Sequence, residues 1–187
     1  RLEKGLIHEK DYFKELSKKY KKIKNIKKLT DLSKEEKIKE TIQALKNGYE
    51  LVYGGWLASG NWRGELDFLE INKTVKSNFG DWSYEIIDTK NTSKVKKDHI
   101  YQISLYSFLL KEAQGILPKN FYILLKDKKK EIVRIGEVYD IFLEQKLSFE
   151  NFVKNDLNRK KLEKVSYCSF KDLQEFCEKE WINKKHL

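Results

Sequence analysis

The sequence predicts an α/β fold in which helices flank a central mixed sheet. Three observations support this class: helical spacing of apolar residues in the first part of the chain, strand-like segments in the middle, and a third helical segment followed by two more strand-like ones. The length of 187 residues fits one domain. We expect its core over about residues 2–135 and a helical tail over 137–187.

The first two predicted elements are helices. Over residues 2–20 apolar residues recur at roughly helical spacing, and this helix ends in a lysine run. The apolar residues in question are Leu2, Leu6, Ile7, Phe13 and Leu16. Ser33 and Glu36 have the spacing of a capping box, in which each side chain binds a backbone N–H of the other residue. A second helix is therefore expected over 34–47, ending at Gly48.

Three strands are expected next. Residues 49–53 and 62–71 have strand-like composition, and the glycines between them at 54, 55 and 60, with Asn61, indicate a turn. The two strands should therefore form a hairpin. Residues 82–88 are aromatic and β-branched, which favours a third strand.

A buried helix and two further strands complete the pattern. Apolar residues over 96–114 suit a well-buried helix, which Gly115 and Pro118 end. Residues 121–126 and 131–135 are strand-like on either side of a charged turn, and a helix follows from Glu137. The predicted order is α, α, β, β, β, α, β, β, α.

Composition limits the partners and the compartment. The net charge is +10 and the pI about 9.3, so the chain attracts polyanions such as nucleic acid. The alternative is a lysine-rich composition that serves solubility. The lysine run over 18–28 likewise either follows a phosphate backbone or is a solvated helix end. No stretch free of Asp, Glu, Lys and Arg reaches the roughly 18 residues of a membrane helix, and with two cysteines we expect a reducing, cytoplasmic location.

Two aspartates interrupt apolar strand segments. Asp67 lies in the second predicted strand and Asp88 ends the third. Because burial of an unpaired carboxylate is very costly, we expect a cation beside them, and Mg²⁺ prefers carboxylate oxygens. Lys90, two residues beyond Asp88, leaves the strand on the same face. There it can hold an attacking water or stabilise negative charge in the transition state.

Four short segments follow one another along the chain: Gly5-Leu6-Ile7-His8-Glu9, Gly64-Glu65-Leu66-Asp67, Asp88-Thr89-Lys90 and Gln102-Ile103-Ser104-Leu105-Tyr106. They resemble, in this order, the N-terminal histidine motif, the first aspartate motif, the D-x-K motif and the Q-x-x-x-Y helix of the PD-(D/E)XK nuclease superfamily, and within it of the RecB-like nucleases. The resemblance covers roughly residues 2–126. It implies a restriction-endonuclease-like core with the element order αβββαβ.

The resemblance also implies a metal site. His8, Asp67 and Asp88 would bind Mg²⁺ or Mn²⁺ together with the carbonyl of Thr89. Glu9 would contact these ligands without binding the metal itself.

The implied activity is metal-dependent hydrolysis of phosphodiester bonds. Lys90 would be the catalytic lysine, and Gln102 and Tyr106 would orient it and the nucleic-acid strand. The expected substrate is DNA, cut by a single-strand-preferring exonuclease in DNA repair, recombination or defence. The alternative is a catalytically silent nucleic-acid-binding or scaffolding module of the same fold, in which the aspartates only pair with Lys90.

Four further residues are expected at the nucleic acid. Lys94 and Lys96 follow the D-x-K motif, while Trp56 and Trp62 flank the turn before Asp67. The two tryptophans either stack on unpaired bases or pack within the hairpin. His99 is expected outside the site, as an exposed or supporting residue.

The chain has no methionine, even at position 1, and we expect it to belong to a longer protein with additional domains or subunits. Its end resembles RecB-like relatives that hold an iron–sulfur centre, with Cys168 and Cys177 present. A cluster usually needs four thiolates. We therefore expect two reduced thiols and no iron–sulfur cluster.

Overall fold

Helices cover a six-stranded mixed sheet in the computed structural model, which describes residues 2–156. The elements of this part of the chain are α1 (Leu2–Lys19), β1 (Ile23–Asn25), α2 (Lys34–Lys46), β2 (Leu51–Ser59), β3 (Trp62–Asn72), β4 (Ser83–Thr89), α3 (Lys97–Gln114), β5 (Asn120–Leu124), β6 (Lys130–Arg134) and α4 (Tyr139–Asp156). A short 3₁₀ turn, Ile135–Glu137, precedes α4. The predicted α/β class is confirmed.

The strands lie side by side in chain order, from β1 to β6. The pairs β1–β2 and β4–β5 are parallel, and the other three pairs are antiparallel. Parallel neighbours need a crossover connection, which α2 and α3 provide. The D-x-K segment at the end of β4 therefore lies between the β3 hairpin strand and the parallel strand β5.

Two apolar clusters cover opposite faces of the sheet. Neighbouring residues of a strand point to opposite faces. Accordingly, Ile86 belongs to a large cluster with Leu45 of α2 and Leu109 of α3, whereas Ile87 belongs to a smaller one with Leu16 of α1. The central strand β4 is therefore buried on both faces, which its composition of aromatic and β-branched residues suits.

Strand β2 continues through glycines that the sequence assigns to a turn. That prediction was wrong for Gly54 and Gly55, since β2 pairs with β3 on both sides of them and the chain reverses only after Ser59. Gly54 has a φ of +68°, a conformation that favours glycine. On β3, Leu66 and Leu69 are three residues apart yet belong to the same cluster, so the regular alternation of side chains is broken between them. Asp67 lies in this irregular part of the strand.

Strand β1 is a three-residue element that the sequence analysis missed. It pairs in parallel with the start of β2, from Ile23 opposite Leu51 to Asn25 opposite Tyr53. A strand so short has little pattern of its own and is stabilised by its partner. The capping box that begins α2 is confirmed, since Ser33 and Glu36 each accept a backbone hydrogen bond from the other.

Helix α1 has an exposed and a buried face, and the apolar residues that predicted the helix lie on both. Leu6 and Ile7 are 50% and 54% exposed, whereas Phe13 and Leu16 pack toward the sheet. The face toward the sheet is formed by Glu9 and by side chains three to four residues apart after it, which include Tyr12, Phe13 and Leu16. Apolar spacing alone did not distinguish these two faces.

The chain separates into two compact units after Phe142. The first unit contains the whole sheet. The second begins at Leu143, and its described residues continue α4, with an ion pair of 2.8 Å between Lys146 and Glu150. Cys168, Cys177 and the predicted tail beyond 156 lie outside the described residues. Among residues 2–156, the structure has no helix with the length and apolar character of a membrane span.

Candidate active site

The end of β4 holds Asp88 inside the protein. Its antiparallel neighbour β3 and its parallel neighbour β5 enclose the strand, and Asp88 is only 2% exposed. Burial raises the pKa of Asp88 to about 7, and the nearby charge of Asp67 acts in the same direction, against the opposing effect of Lys90. The side chain therefore lies in an environment that disfavours an uncompensated negative charge.

Lys90 connects this carboxylate to α3. Its Nζ atom lies 2.5 Å from Asp88 Oδ2 and donates a hydrogen bond of 2.9 Å to Gln102 Oε1. Gln102 Nε2 in turn donates to the Tyr106 hydroxyl at 2.7 Å. Since Gln102 and Tyr106 are four residues apart, they lie on one side of the helix. The structure thus brings together four of the predicted residues in one chain of polar contacts.

Gly64 of β3 makes room for that chain of contacts. A Cβ atom at this position would lie 2.6 Å from Cε1 of the Tyr106 ring. That distance is far shorter than the van der Waals separation of two carbon atoms. The ring can therefore lie against the strand only because position 64 has no side chain.

Asp67 is fixed by the residue between Asp88 and Lys90. Its Oδ2 atom accepts the Thr89 N–H at 2.8 Å and the Thr89 hydroxyl at 2.7 Å. These bonds hold the two aspartates on neighbouring strands close enough for mutual repulsion. Two carboxylates so placed are the donor type that Mg²⁺ and Mn²⁺ prefer, and in this structure Asp88 Oδ2 is paired with the ammonium of Lys90. Binding of a divalent ion by the two aspartates, and a role for the Thr89 carbonyl, stay predictions.

Glu9 brings a third carboxylate to the site from α1. The side chain is buried, and burial together with the charge of Asp67 raises its pKa. The Tyr53 hydroxyl and the ammonium of Lys27 both bind it. Lys27 also lies 3.5 Å from Glu65 Oε1. Sequence analysis missed Lys27, because nothing in the lysine run distinguishes it from its neighbours.

No hydrogen bond or ion pair joins His8 to the aspartates in the described part of the chain. Its Nε2 atom is buried and has no hydrogen-bond partner there. Within residues 2–156 the structure shows no group of three or more His, Cys, Asp or Glu side chains arranged to hold a metal. The role of His8 as a ligand stays a prediction.

His99 is a supporting residue at the start of α3. The side chain is buried, and its Nδ1 accepts the N–H of Lys96 at 3.2 Å, which fixes the first turn of the helix. Burial, and after it the positive charge of Lys90, lower the pKa of His99. Of the two expectations for this residue, exposed or supporting, the structure shows the second.

The residues predicted to contact nucleic acid lie in different settings. Lys94 and Lys96 are exposed in the segment between β4 and α3. Trp56 is partly buried against the core, with the Lys34 ammonium 5.4 Å from its ring centroid. Trp62, also partly buried, lines a cavity of about 330 Å³ at the end of the β2–β3 hairpin.

Part of the lysine run contacts acceptors within the protein. Lys19 pairs with Glu70 at 3.3 Å, Lys24 pairs with Glu40 at 2.5 Å, and Lys22 donates to the Asn47 carbonyl. These contacts favour a structural role for these three lysines.

The sequence matches no protein-family model and no curated protein. The case for a function therefore depends on the fold and on the geometry of the site.

Proposed function

We propose that the chain is a metal-dependent nuclease with a restriction-endonuclease-like core. One observation supports this most: the buried Asp88 at the end of β4, next to Asp67, with Lys90 bound between Asp88 and Gln102. Phosphodiester hydrolysis needs a cation at the phosphate and a positioned donor near the attacking water. The two aspartates and the lysine are the residue types suited to these tasks.

Each residue has a separate part in the proposed reaction. Asp67 and Asp88 would hold Mg²⁺ or Mn²⁺, which supplies polarisation of the scissile phosphate when bound. Lys90 donates its hydrogen bonds toward the attacking water and the negative charge that develops on the phosphate. Gln102 holds the ammonium in place, and Tyr106 holds Gln102. A lysine fixed by two partners needs little reorganisation during the reaction.

The proposed substrate is nucleic acid, with single-stranded DNA favoured and exonuclease action as the mode, in DNA repair, recombination or defence. The net charge of +10 supports a polyanionic substrate. Exposed Lys94 and Lys96 lie in the segment that follows Lys90, where they can contact phosphates beside the scissile bond. A cytoplasmic location belongs to the same proposal.

The second candidate is a catalytically silent module that binds nucleic acid with the same fold. The ion pair between Lys90 and Asp88 favours it, because a buried carboxylate with a lysine partner needs no metal. In this candidate Lys90 serves folding alone.

A comparison of Lys90→Ala with Lys119→Ala separates the two candidates. Lys119 is exposed, so its variant makes the same change in net charge away from the site. The assay incubates labelled single-stranded DNA, duplex DNA and RNA with each protein in Mg²⁺, Mn²⁺ or EDTA. For a nuclease we expect metal-dependent cleavage that falls by about 10²-fold or more in Lys90→Ala, the size of a lost transition-state donor, while binding and Lys119→Ala stay near wild type.

Metal-dependent cleavage that is equal in Lys90→Ala and wild type would refute the proposed role of Lys90. If wild type cleaves nothing and Lys90→Ala melts at a lower temperature in EDTA, the silent module is the better description.

A further inference from the structure

Lys27 reaches the acidic cluster of Glu9, Glu65, Asp67 and Asp88 from a part of the chain outside all four motifs. It follows β1, and its side chain is only 26% exposed. The ammonium pairs with Glu9 of α1, lies 3.5 Å from Glu65 of β3 and feels the charge of Asp67. Two carboxylates from two elements thus contact one ammonium, and the charge of a third, Asp67, also acts on it.

The backbone of β2 is shaped around this lysine. A Cβ atom on Gly54 would lie 2.2 Å from Cγ of Lys27, and the φ of +68° at Gly54 already disfavours any other residue. The Tyr53 ring lies beside the same side chain, with its centroid 5.2 Å from Nζ. A lysine that only adds surface charge does not need space cleared for it in a neighbouring strand. The adjacent Lys28, in contrast to Lys27, is exposed.

The formal charges around Asp67 and Asp88 indicate how many divalent ions balance them. Four carboxylates, from Glu9, Glu65, Asp67 and Asp88, face the two ammoniums of Lys27 and Lys90. Two negative charges remain, which one divalent ion balances. Without the ammonium of Lys27 the remaining charge is three, and two carboxylates lose the cation between them.

We propose that Lys27 is a positioning residue that occupies one cation position of the cluster, so that the site takes a single divalent ion at Asp67 and Asp88 and not two. This inference rests on the proposed metal-dependent function. In physical terms, the ammonium holds Glu9 and Glu65 together in the place where a second ion would otherwise bind.

The test counts Mn²⁺ bound to the full chain by titration calorimetry. We expect one ion in wild type, a second ion in Lys27→Met and one ion in the matched control Lys28→Met. Lys27→Met/Glu9→Gln should return to one ion, because a ligand of the second site is lost. If Lys27→Met does not fold, Lys27→Gln repeats the count, since glutamine still donates to Glu9 without a charge.

The outcomes separate this inference from the function on which it rests. Two ions in wild type, or one ion in both wild type and the Lys27 variant, would overturn the role of Lys27 and leave the nuclease proposal intact. No ion in wild type but one in the Lys27 variant would overturn the inference, which requires one ion at Asp67 and Asp88 in wild type. No ion in either protein would overturn both.

Discussion

Replacement of Gly64 by alanine should damage the site without touching a polar group. The added Cβ would lie 2.6 Å from Cε1 and 3.0 Å from Cδ1 of Tyr106. The ring cannot retreat easily, because it is buried in the main apolar cluster and its hydroxyl accepts from Gln102. Overpacking of this kind costs about 1–3 kcal/mol. For a chain of this length, that corresponds to a fall in melting temperature of about 2–12 °C.

Gly136→Ala is the matched control for this substitution. A Cβ at Gly136 meets no atom within 4 Å, so this variant reports only the loss of backbone freedom in the unfolded chain. Thermal melts should place Gly64→Ala below the control by the stated interval, and the difference should vanish when both are made in a Tyr106→Ala background. If Gly64→Ala melts with the control, the ring is not held against the strand and the argument for Gly64 is wrong.

Two further predictions concern charge. In EDTA the free energy of unfolding should fall as pH rises from about 4 to about 7, because the folded chain keeps a proton on Asp88, whose pKa is raised to about 7, after the unfolded chain has released it. Melts across this range should show a flatter dependence in Asp88→Asn, and an unchanged slope would contradict the prediction. For binding to single-stranded DNA, Lys94→Ala/Lys96→Ala should reduce the slope of log K against log salt by about 1.4, since each phosphate contact contributes about 0.7. Fluorescence anisotropy between 50 and 200 mM salt measures this slope, and a value equal to that of wild type would exclude phosphate contacts by the pair.

The contacts that the sequence predicted well are local in the chain. Asp88 and Lys90 are two residues apart on one strand end, and Gln102 and Tyr106 are four apart on one helix, so periodicity places each pair on one side of its element. The capping box at Ser33 is local in the same way. The contact between Lys90 and Gln102 spans twelve residues, and only the resemblance to a family predicted it.

The features that sequence analysis missed depend on distant partners. Strand β1 has three residues and exists through its pairing with β2, 28 residues further along the chain. The partly buried position of the Lys27 side chain depends on Gly54, which leaves space for it, and on Glu9, which pairs with its ammonium. Both residues belong to other elements. On α1, the apolar Leu6 is exposed while the charged Glu9 is buried, because the ion pair with Lys27 compensates the carboxylate. The spacing of apolar residues along a sequence cannot predict that a distant lysine will pair with a buried carboxylate.

The acidic cluster accounts for the buried charge of Glu9, the position of Lys27 and the glycines at 54 and 64 together. Buried ion pairs are often no more stable than apolar side chains of similar volume, and carboxylates brought close together repel one another. The glycines at 54 and 64 add a cost in backbone entropy. A protein that needed only a packed core would gain stability by apolar residues at Glu9 and Asp88. The chain instead supplies ammoniums at Lys27 and Lys90 and has glycines at 54 and 64, beside Lys27 and Tyr106. This arrangement supports the proposal that the carboxylates are kept to hold a divalent cation.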